Sequence, residues 1–260
     1  MTTSPQNLAV DLTGQVAMVT GASGGLGRRF AETLAAAGAS VAVAARRVDR
    51  LASLVEELRG QGRTAFAVEL DVREAQTILA AVDRIERHLG LIQILVNNAG
   101  VADAQWATKM SLELIDNVID TNFRAPFVLS CEVARRLIAA KKPGRIVNIS
   151  SSGAYHYPAN AASTLYCATK AGVSRLTDTL ALEWARHGIN VNAIAPGLFR
   201  TEMSDSYLAR VGERGALGAA PRGRVGEPHH LDSTLLYLVS PASEFVTGTC
   251  VRVDDAQVPR

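Results

Sequence analysis

Along this chain, short apolar runs alternate with stretches in which apolar residues recur every three or four positions. Val16-Ala17-Met18-Val19 is the first apolar run, and after it Leu26, Phe30 and Leu34 recur at i, i+4 and i+8 with Ala31 and Ala35 beside them. The run reads as a strand and the periodic stretch as a helix with one buried face. A second apolar run covers 41–45. Strand, Gly-rich turn, helix, strand is a βαβ unit, and its crossover makes the two strands parallel. The alternation continues, with helical patterns at 48–59, 74–89, 111–140, 163–186 and 227–239 and strand-like runs at 64–70, 92–96, 145–149, 190–195 and 249–253. About seven strands with intervening helices predict one doubly wound α/β domain around a parallel sheet. Residues 1–13 read as a flexible arm, 14–260 as the domain, and 202–225 as a substrate loop.

Composition narrows the partners. Apolar residues make up 48% of the 260-residue chain, charged residues 20%, and the net charge is only +2. So small a charge gives no electrostatic footprint for nucleic acid or an acidic membrane. No apolar run approaches the ~18 residues of a membrane span, and no basic stretch followed by an apolar one opens the chain, so neither a span nor a signal peptide is expected. Cys131, Cys167 and Cys250 are few, odd in number and far apart. They form neither a disulfide framework nor a zinc pattern, and suit a reducing, cytoplasmic setting. His156, His187, His229 and His230 have no metal spacing, so no metal is expected.

The polar residues that could carry chemistry gather at the carboxyl ends of the strand-like runs. They are the turn Thr20-Gly21-Ala22-Ser23-Gly24-Gly25-Leu26-Gly27, Asp71, Asn98, the serines of Asn148-Ile149-Ser150-Ser151-Ser152, and Pro196-Gly197. Open α/β sheets bind their ligands along that edge. Glycines in the first turn permit positive φ and let backbone N–H groups approach a pyrophosphate at a helix N-terminus. Tyr166 and Lys170 stand four apart at the start of the 163–186 pattern, on one helix face. An ammonium beside a phenol favours the phenolate, so Lys170 is expected to lower the Tyr166 pKa into proton-transfer range. A competing reading takes Gly21-Ala22-Ser23-Gly24-Gly25 as a G-x-S-x-G nucleophile elbow with His229 or His230 as base. It leaves Tyr166 and Lys170 unexplained. A nucleotide-binding regulator without catalysis is a third reading, opposed by the intact Ser, Tyr and Lys.

From Gly14 to Asp254 these motifs, in this order, resemble a short-chain dehydrogenase/reductase of the single-domain, Rossmann-fold kind. The resemblance implies hydride transfer between a nicotinamide and a ketone or secondary alcohol. It implies a catalytic set of Asn122, Ser151, Tyr166 and Lys170. It also implies cofactor contacts from Gly21, Ser23, Gly25, Leu26, Gly27, Asp71, Val72, Asn98, Ala99, Tyr166, Lys170, Pro196, Gly197, Phe199 and Thr201, with Pro196-Gly197 and Thr201 at the nicotinamide, and a homotetramer or homodimer. Asn122 would position a water in a proton relay, or else bond into a helix kink. Two departures stand out. Ser151 lies fifteen residues before Tyr166, farther than the family's usual interval. This predicts an insertion in the loop 156–163 and keeps Ser152 as an alternative. The tail reads Val253-Asp254-Asp255-Ala256 where many relatives have two glycines after the Asp, which puts the usual turn in doubt.

Cofactor choice turns on the end of the second strand. An acidic residue there would bind both ribose hydroxyls and repel a 2′-phosphate. Ala45 stands in that place, followed by Arg46 and Arg47. Guanidinium groups grip phosphate through parallel N–H bonds, so NADP(H) is expected, with NAD(H) as the alternative. Among relatives the overall pattern is most like reductases of 3-oxoacyl carrier-protein substrates, which implies a 3-oxoacyl group or similar small ketone. The positions that would meet an acidic carrier hold Lys142 and a largely neutral His187. Free or coenzyme-A-like ketones are therefore favoured over carrier-bound ones. The loops expected to shape the pocket are 153–163, with Tyr155 and Tyr157, and 202–225, with Arg210, Arg214, Arg222 and Arg224.

Overall fold

The computed structural model describes residues 10–157, 162–218 and 220–258. Residues 1–9 of the expected arm, 158–161 of the expected insertion and the Arg210 side chain lie outside the described residues. The seven strands are β1 (Val16–Thr20), β2 (Ser40–Ala45), β3 (Ala65–Glu69), β4 (Ile92–Asn97), β5 (Gly144–Ile149), β6 (Ile189–Pro196) and β7 (Cys250–Val253). They form one sheet in the order β3-β2-β1-β4-β5-β6-β7, and every pairing is parallel. The order reverses between β1 and β4, which opens a crevice at their carboxyl ends.

Both faces of the sheet are covered, so the central strands are apolar throughout rather than alternating. On one face Ala17 and Val19 of β1 and Val41 and Val43 of β2 pack against Phe30 and Leu34 of α1 (Gly25–Ala36), Leu51 and Leu54 of α2 (Val48–Gly60) and, towards the far edge, Leu235 and Leu238. On the other, Val16 and Met18 pack with Ile78, Val82 and Ile85 of α3 (Ala75–Leu89), and with Leu129 and Val133 farther along the chain. One-residue alternation along each strand therefore divides the core into its two layers.

Three expected elements differ. The long helix over 111–140 is instead α4 (Leu112–Ile119), a π-helical turn (Asp120–Arg124) and α5 (Ala125–Ala140). Asn122 sits in the π turn, fully buried, and takes the backbone of Val101 on its carboxamide. Such a widened turn reorients the side chains it carries. Residues 163–186 form α6 (Thr164–Trp184) and a short 3-10 turn, close to expectation. The expected substrate loop 202–225 is largely helix: α7 runs over Glu202–Leu217, kinked at Gly212. Its start is a capping box, with Thr201 Oγ1 accepting from the Ser204 N–H at 3.3 Å and Ser204 Oγ accepting from the Thr201 N–H at 3.0 Å. Leu208, Leu217 and Val225 form a satellite core beneath it. The last helical pattern, 227–239, is a 3-10 turn (Pro228–Leu231) leading into α8 (Asp232–Val239).

Candidate active site

The glycine turn after β1 closes against the end of β4. Gly21 and Gly25 adopt φ of +67° and +53°, values that L side chains rarely take. A Cβ on Gly27 would overlap the Gly21 carbonyl and the Asn98 carboxamide. Asn98 Nδ2 donates to the Thr20 carbonyl at 2.9 Å, and Thr20 Oγ1 accepts from the N–H groups of Asn98 and Ala99 at 3.0 and 3.1 Å. Asn98 thus locks the turn, and Ala99 lines it. Asn97 below them donates to Asn148 Oδ1 at 2.9 Å, tying β4 to β5. The result is a backbone cradle at a helix N-terminus that fits a pyrophosphate group.

Around its rim are the charged groups. Ala45 ends β2 buried, and Arg46 is exposed. Arg46 acts on Asp71 through its charge, while Arg73 grips the Asp71 carboxylate at 2.6 Å. The Arg73 hydrogen bond is the main reason that this carboxyl titrates below its ordinary value. Val72 beside it is buried. Arg47 donates to Ser23 Oγ at 3.0 Å and to Glu202 at 2.7 Å, and Arg50 pairs with the same carboxylate. Ser23 therefore bonds a guanidinium where the hydrolase reading requires a base. The candidate base His230 uses its Nδ1 on the Glu227 N–H.

The groups expected to transfer the proton lie on the other side of the crevice. Ser151 caps a short 3-10 turn in extended backbone, and its hydroxyl accepts from the Gly153 N–H at 3.0 Å. Tyr166 lies in the first turn of α6, and Lys170 one turn on, buried, with Nζ 5.7 Å from the phenol ring centre and donating to the Ile149 carbonyl at 2.7 Å. Burial pushes the Tyr166 phenol above its ordinary value, and a hydrogen bond from Ser151 pulls the other way. Lys170 is not what moves it, contrary to the expectation from spacing. Burial lowers Lys170 itself to about 8, which weakens it as a cation, and its Nζ is turned to Ile149. Ser151 is the serine that reaches Tyr166; Ser152 instead supplies carbonyl contacts to the Tyr155 and His156 N–H groups.

Asn122 Oδ1 accepts from the Val101 N–H at 2.8 Å, and its Nδ2 donates to the Val101 carbonyl at 2.9 Å and, at 3.4 Å, to Thr169 Oγ1. It joins the π turn to the loop after β4 and to α6, which matches the kink reading more directly than the relay. Cys167 packs against Gly153 and Ser163 with its thiol pushed up by burial. Pro196 ends β6, Phe199 is buried, and Thr201 lies over Gly25, 3.4 Å from where its Cβ would be. The two ends of the crevice therefore meet across the glycine turn.

Sequence reading missed three groups here. Buried Asp103 accepts from the Leu165 and Tyr166 N–H groups, both at 3.0 Å, and so caps α6 from a loop some sixty residues upstream; Ser163, the cap that local sequence offers, makes no such bond. Glu202 and Gln257, the latter hydrogen-bonded to Leu198, are the others. Nothing local marks any of them, because each acts across sequence. Among the described residues no helix is long and apolar enough to cross a membrane, and no cluster of metal-ligating side chains is present.

A family model for short chain dehydrogenase matches residues 15–211. The chain belongs to the short-chain dehydrogenase family. This dehydrogenase is 35% identical over 254 residues to the 2-dehydro-3-deoxy-D-gluconate 5-dehydrogenase of Escherichia coli, covering 97% of this chain and 98% of the relative. It is 34% identical to the 3-oxoacyl-[acyl-carrier-protein] reductase FabG of Vibrio harveyi, covering 94% and 98%. The crystal structure of a gluconate 5-dehydrogenase from Burkholderia cenocepacia in complex with NADP and tartrate superposes with a TM-score of 0.89 at 32% identity, covering 95% and 96%. The dehydrogenase is thus an oxidoreductase in fold and family.

Proposed function

We propose that the protein, as one domain from residue 14 onward, transfers a hydride between NADP(H) and a small ketone or the matching secondary alcohol. The observation that carries this is the convergence of Ser151, Tyr166 and Lys170 at the carboxyl edge of the sheet, across from the glycine cradle. When bound, the nicotinamide supplies the hydride that reaches the carbonyl carbon. Tyr166, raised by burial, keeps its proton at neutral pH and donates it to the carbonyl oxygen; the alcohol direction returns it. The Ser151 hydroxyl hydrogen-bonds the same oxygen and favours the charge that builds there. Lys170 would hold the nicotinamide ribose, Arg46 and Arg47 the 2′-phosphate, and Asp71 with Val72 the adenine. Asn122 keeps α6 and the loop after β4 in register.

The relatives are named for a 2-dehydro-3-deoxy-D-gluconate and for a 3-oxoacyl-[acyl-carrier-protein]. We favour a free or coenzyme-A-like 3-oxoacyl substrate, or a keto acid of similar size, in a cytoplasmic homotetramer. A panel of such ketones, run with NADPH and NADH in wild type and Tyr166→Phe, tests the reading. NADPH turnover that falls at least a hundredfold in Tyr166→Phe, with NADPH binding retained, is expected. Retention of more than about a tenth of the rate would remove Tyr166 as the acid.

A further inference from the structure

The tail beyond β7, Asp254-Asp255-Ala256-Gln257, forms a turn of its own. Asp255 and Ala256 both adopt left-handed backbone, with φ of 49° and 60°. An L side chain is strained there unless its surroundings hold it. Here Asp255 is held by Arg224 at 2.6 Å and Arg222 at 3.3 Å, and the Ala256 and Gln257 N–H groups bond back to Asp254 at 3.1 and 2.7 Å.

This turn brings Gln257 back over the exit of β6. Its Oε1 accepts from the Leu198 N–H at 2.6 Å, and its Nε2 donates to the Arg224 carbonyl at 3.1 Å and to the Leu198 carbonyl at 3.4 Å. The Leu198 carbonyl also accepts from the Gly226 N–H at 2.9 Å. One carboxamide thus joins the segment leaving β6 to the segment 224–226. The approach is close enough that a Cβ on Gly197 would overlap Gln257 Oε1 and lie 2.9 Å from Asp254 Cα. Glycine at 197 is required by the tail, since its φ is not in the left-handed region.

We propose that Gln257 is a positioning residue for hydride transfer, its carboxamide setting the backbone of 196–199 against the nicotinamide end of the cofactor. This rests on the NADP(H) assignment above. Gln257 touches no reacting atom; it acts through Gly197 and Leu198. The amide is specific to the task, because one end must accept from an N–H while the other donates to two carbonyls. A carboxylate of the same shape would turn an acceptor toward those carbonyls.

The test uses the full chain as Gln257→Met, which keeps length and removes the bonds, and Gln257→Glu, which removes only the donor. Two ligands are titrated: NADPH, which engages both ends of the crevice, and adenosine 2′,5′-bisphosphate, which engages only the adenine end. In both variants NADPH binding is expected to weaken roughly three- to tenfold and kcat to fall about tenfold, with bisphosphate binding within about twofold of wild type. Wild-type NADPH affinity and kcat in both variants would overturn the proposal. So would a parallel loss of bisphosphate binding, the mark of a merely structural tail. If wild type itself fails to bind NADPH, the cofactor assignment falls and takes the proposal with it. Should Gln257→Met not fold, Gln257→Glu, which keeps the length and shape of the side chain and removes only the donor, carries the expectation by itself.

Discussion

Lys170 shows how one residue's burial sets both stability and chemistry. Its pKa is about 8 in the fold against 10.5 for an ordinary lysine. The folded protein therefore binds fewer protons than the unfolded chain between those values, so this group's contribution to stability rises with pH across that window. Its penalty is fully present below pH 8 and gone above 10.5. Without cofactor, Lys170→Met is expected to be more stable than wild type at pH 7 by up to about 3 kcal/mol, with the loss of the Ile149 hydrogen bond subtracting from that gain. The gap should close between pH 8 and 10, read by urea unfolding at several pH values. A gap independent of pH would mean that the ammonium is not desolvated. At this scale Tyr166 and Lys170 stood out through their spacing together with the polar residues gathered at the strand ends, and the sequence pairs Ser151 with them by resemblance. The direction of the Tyr166 shift was not, because burial outweighs a lysine turned toward Ile149. Asp103 was not legible either, since its partners are the α6 N–H groups.

Between elements, the arginines after β2 serve two masters. Glu202, the first residue of α7, holds Arg47 and Arg50 of the β2–α2 region, and their hydrogen bonds keep its carboxyl below the ordinary range. These groups are about half exposed, so the pairs contribute little to stability. They do occupy Arg47, so under the proposed function Arg46 would be the first ligand for a 2′-phosphate. Glu202→Gln is expected to release Arg47 and lower the NADPH KM roughly threefold to tenfold, with the NADH KM unchanged and Tm nearly so. The double change Ala45→Asp/Arg46→Ala should shift preference toward NADH. An NADPH KM that rises in Glu202→Gln would instead make the carboxylate a fastener of the closed site. The helix α7 escaped sequence reading because Gly212, Gly215 and Gly218 interrupt its apolar spacing. Its start depends on the Thr201–Ser204 capping box, whose hydroxyls also fit an ordinary turn.

In the whole molecule, exposed apolar groups mark where copies could meet. Leu112, Ile119, Phe123 and Phe127 follow one another at helical spacing across α4, the π turn and α5, and Leu112 is 79% exposed. Leu182 on α6 is 82% exposed. Such residues on an ordinary monomer surface would be scattered singly. Light scattering is expected to give four times the 27.6 kDa chain mass, and Leu112→Lys/Phe127→Lys should lower it. A wild-type mass of one chain would end the tetramer reading and leave that face to another use.

The sequence alone determined the alternation of strands and helices, because each element must bury an apolar face and periods of 2 and 3.6 show which face. It also determined the glycine cradle and the Tyr166–Lys170 pair, since both depend on neighbours within a few residues. Tertiary structure alone decided what crosses the chain. The break of the long helix at Asn122 follows from its bonds to Val101 and Thr169. The cap of α6 comes from Asp103, and the left-handed turn at Asp255 is held by Arg222 and Arg224. Each is a polar group satisfied by a partner far away in sequence. For the buried Asn122 and Asp103 such pairing is obligatory, but only the folded chain shows which partner is within reach.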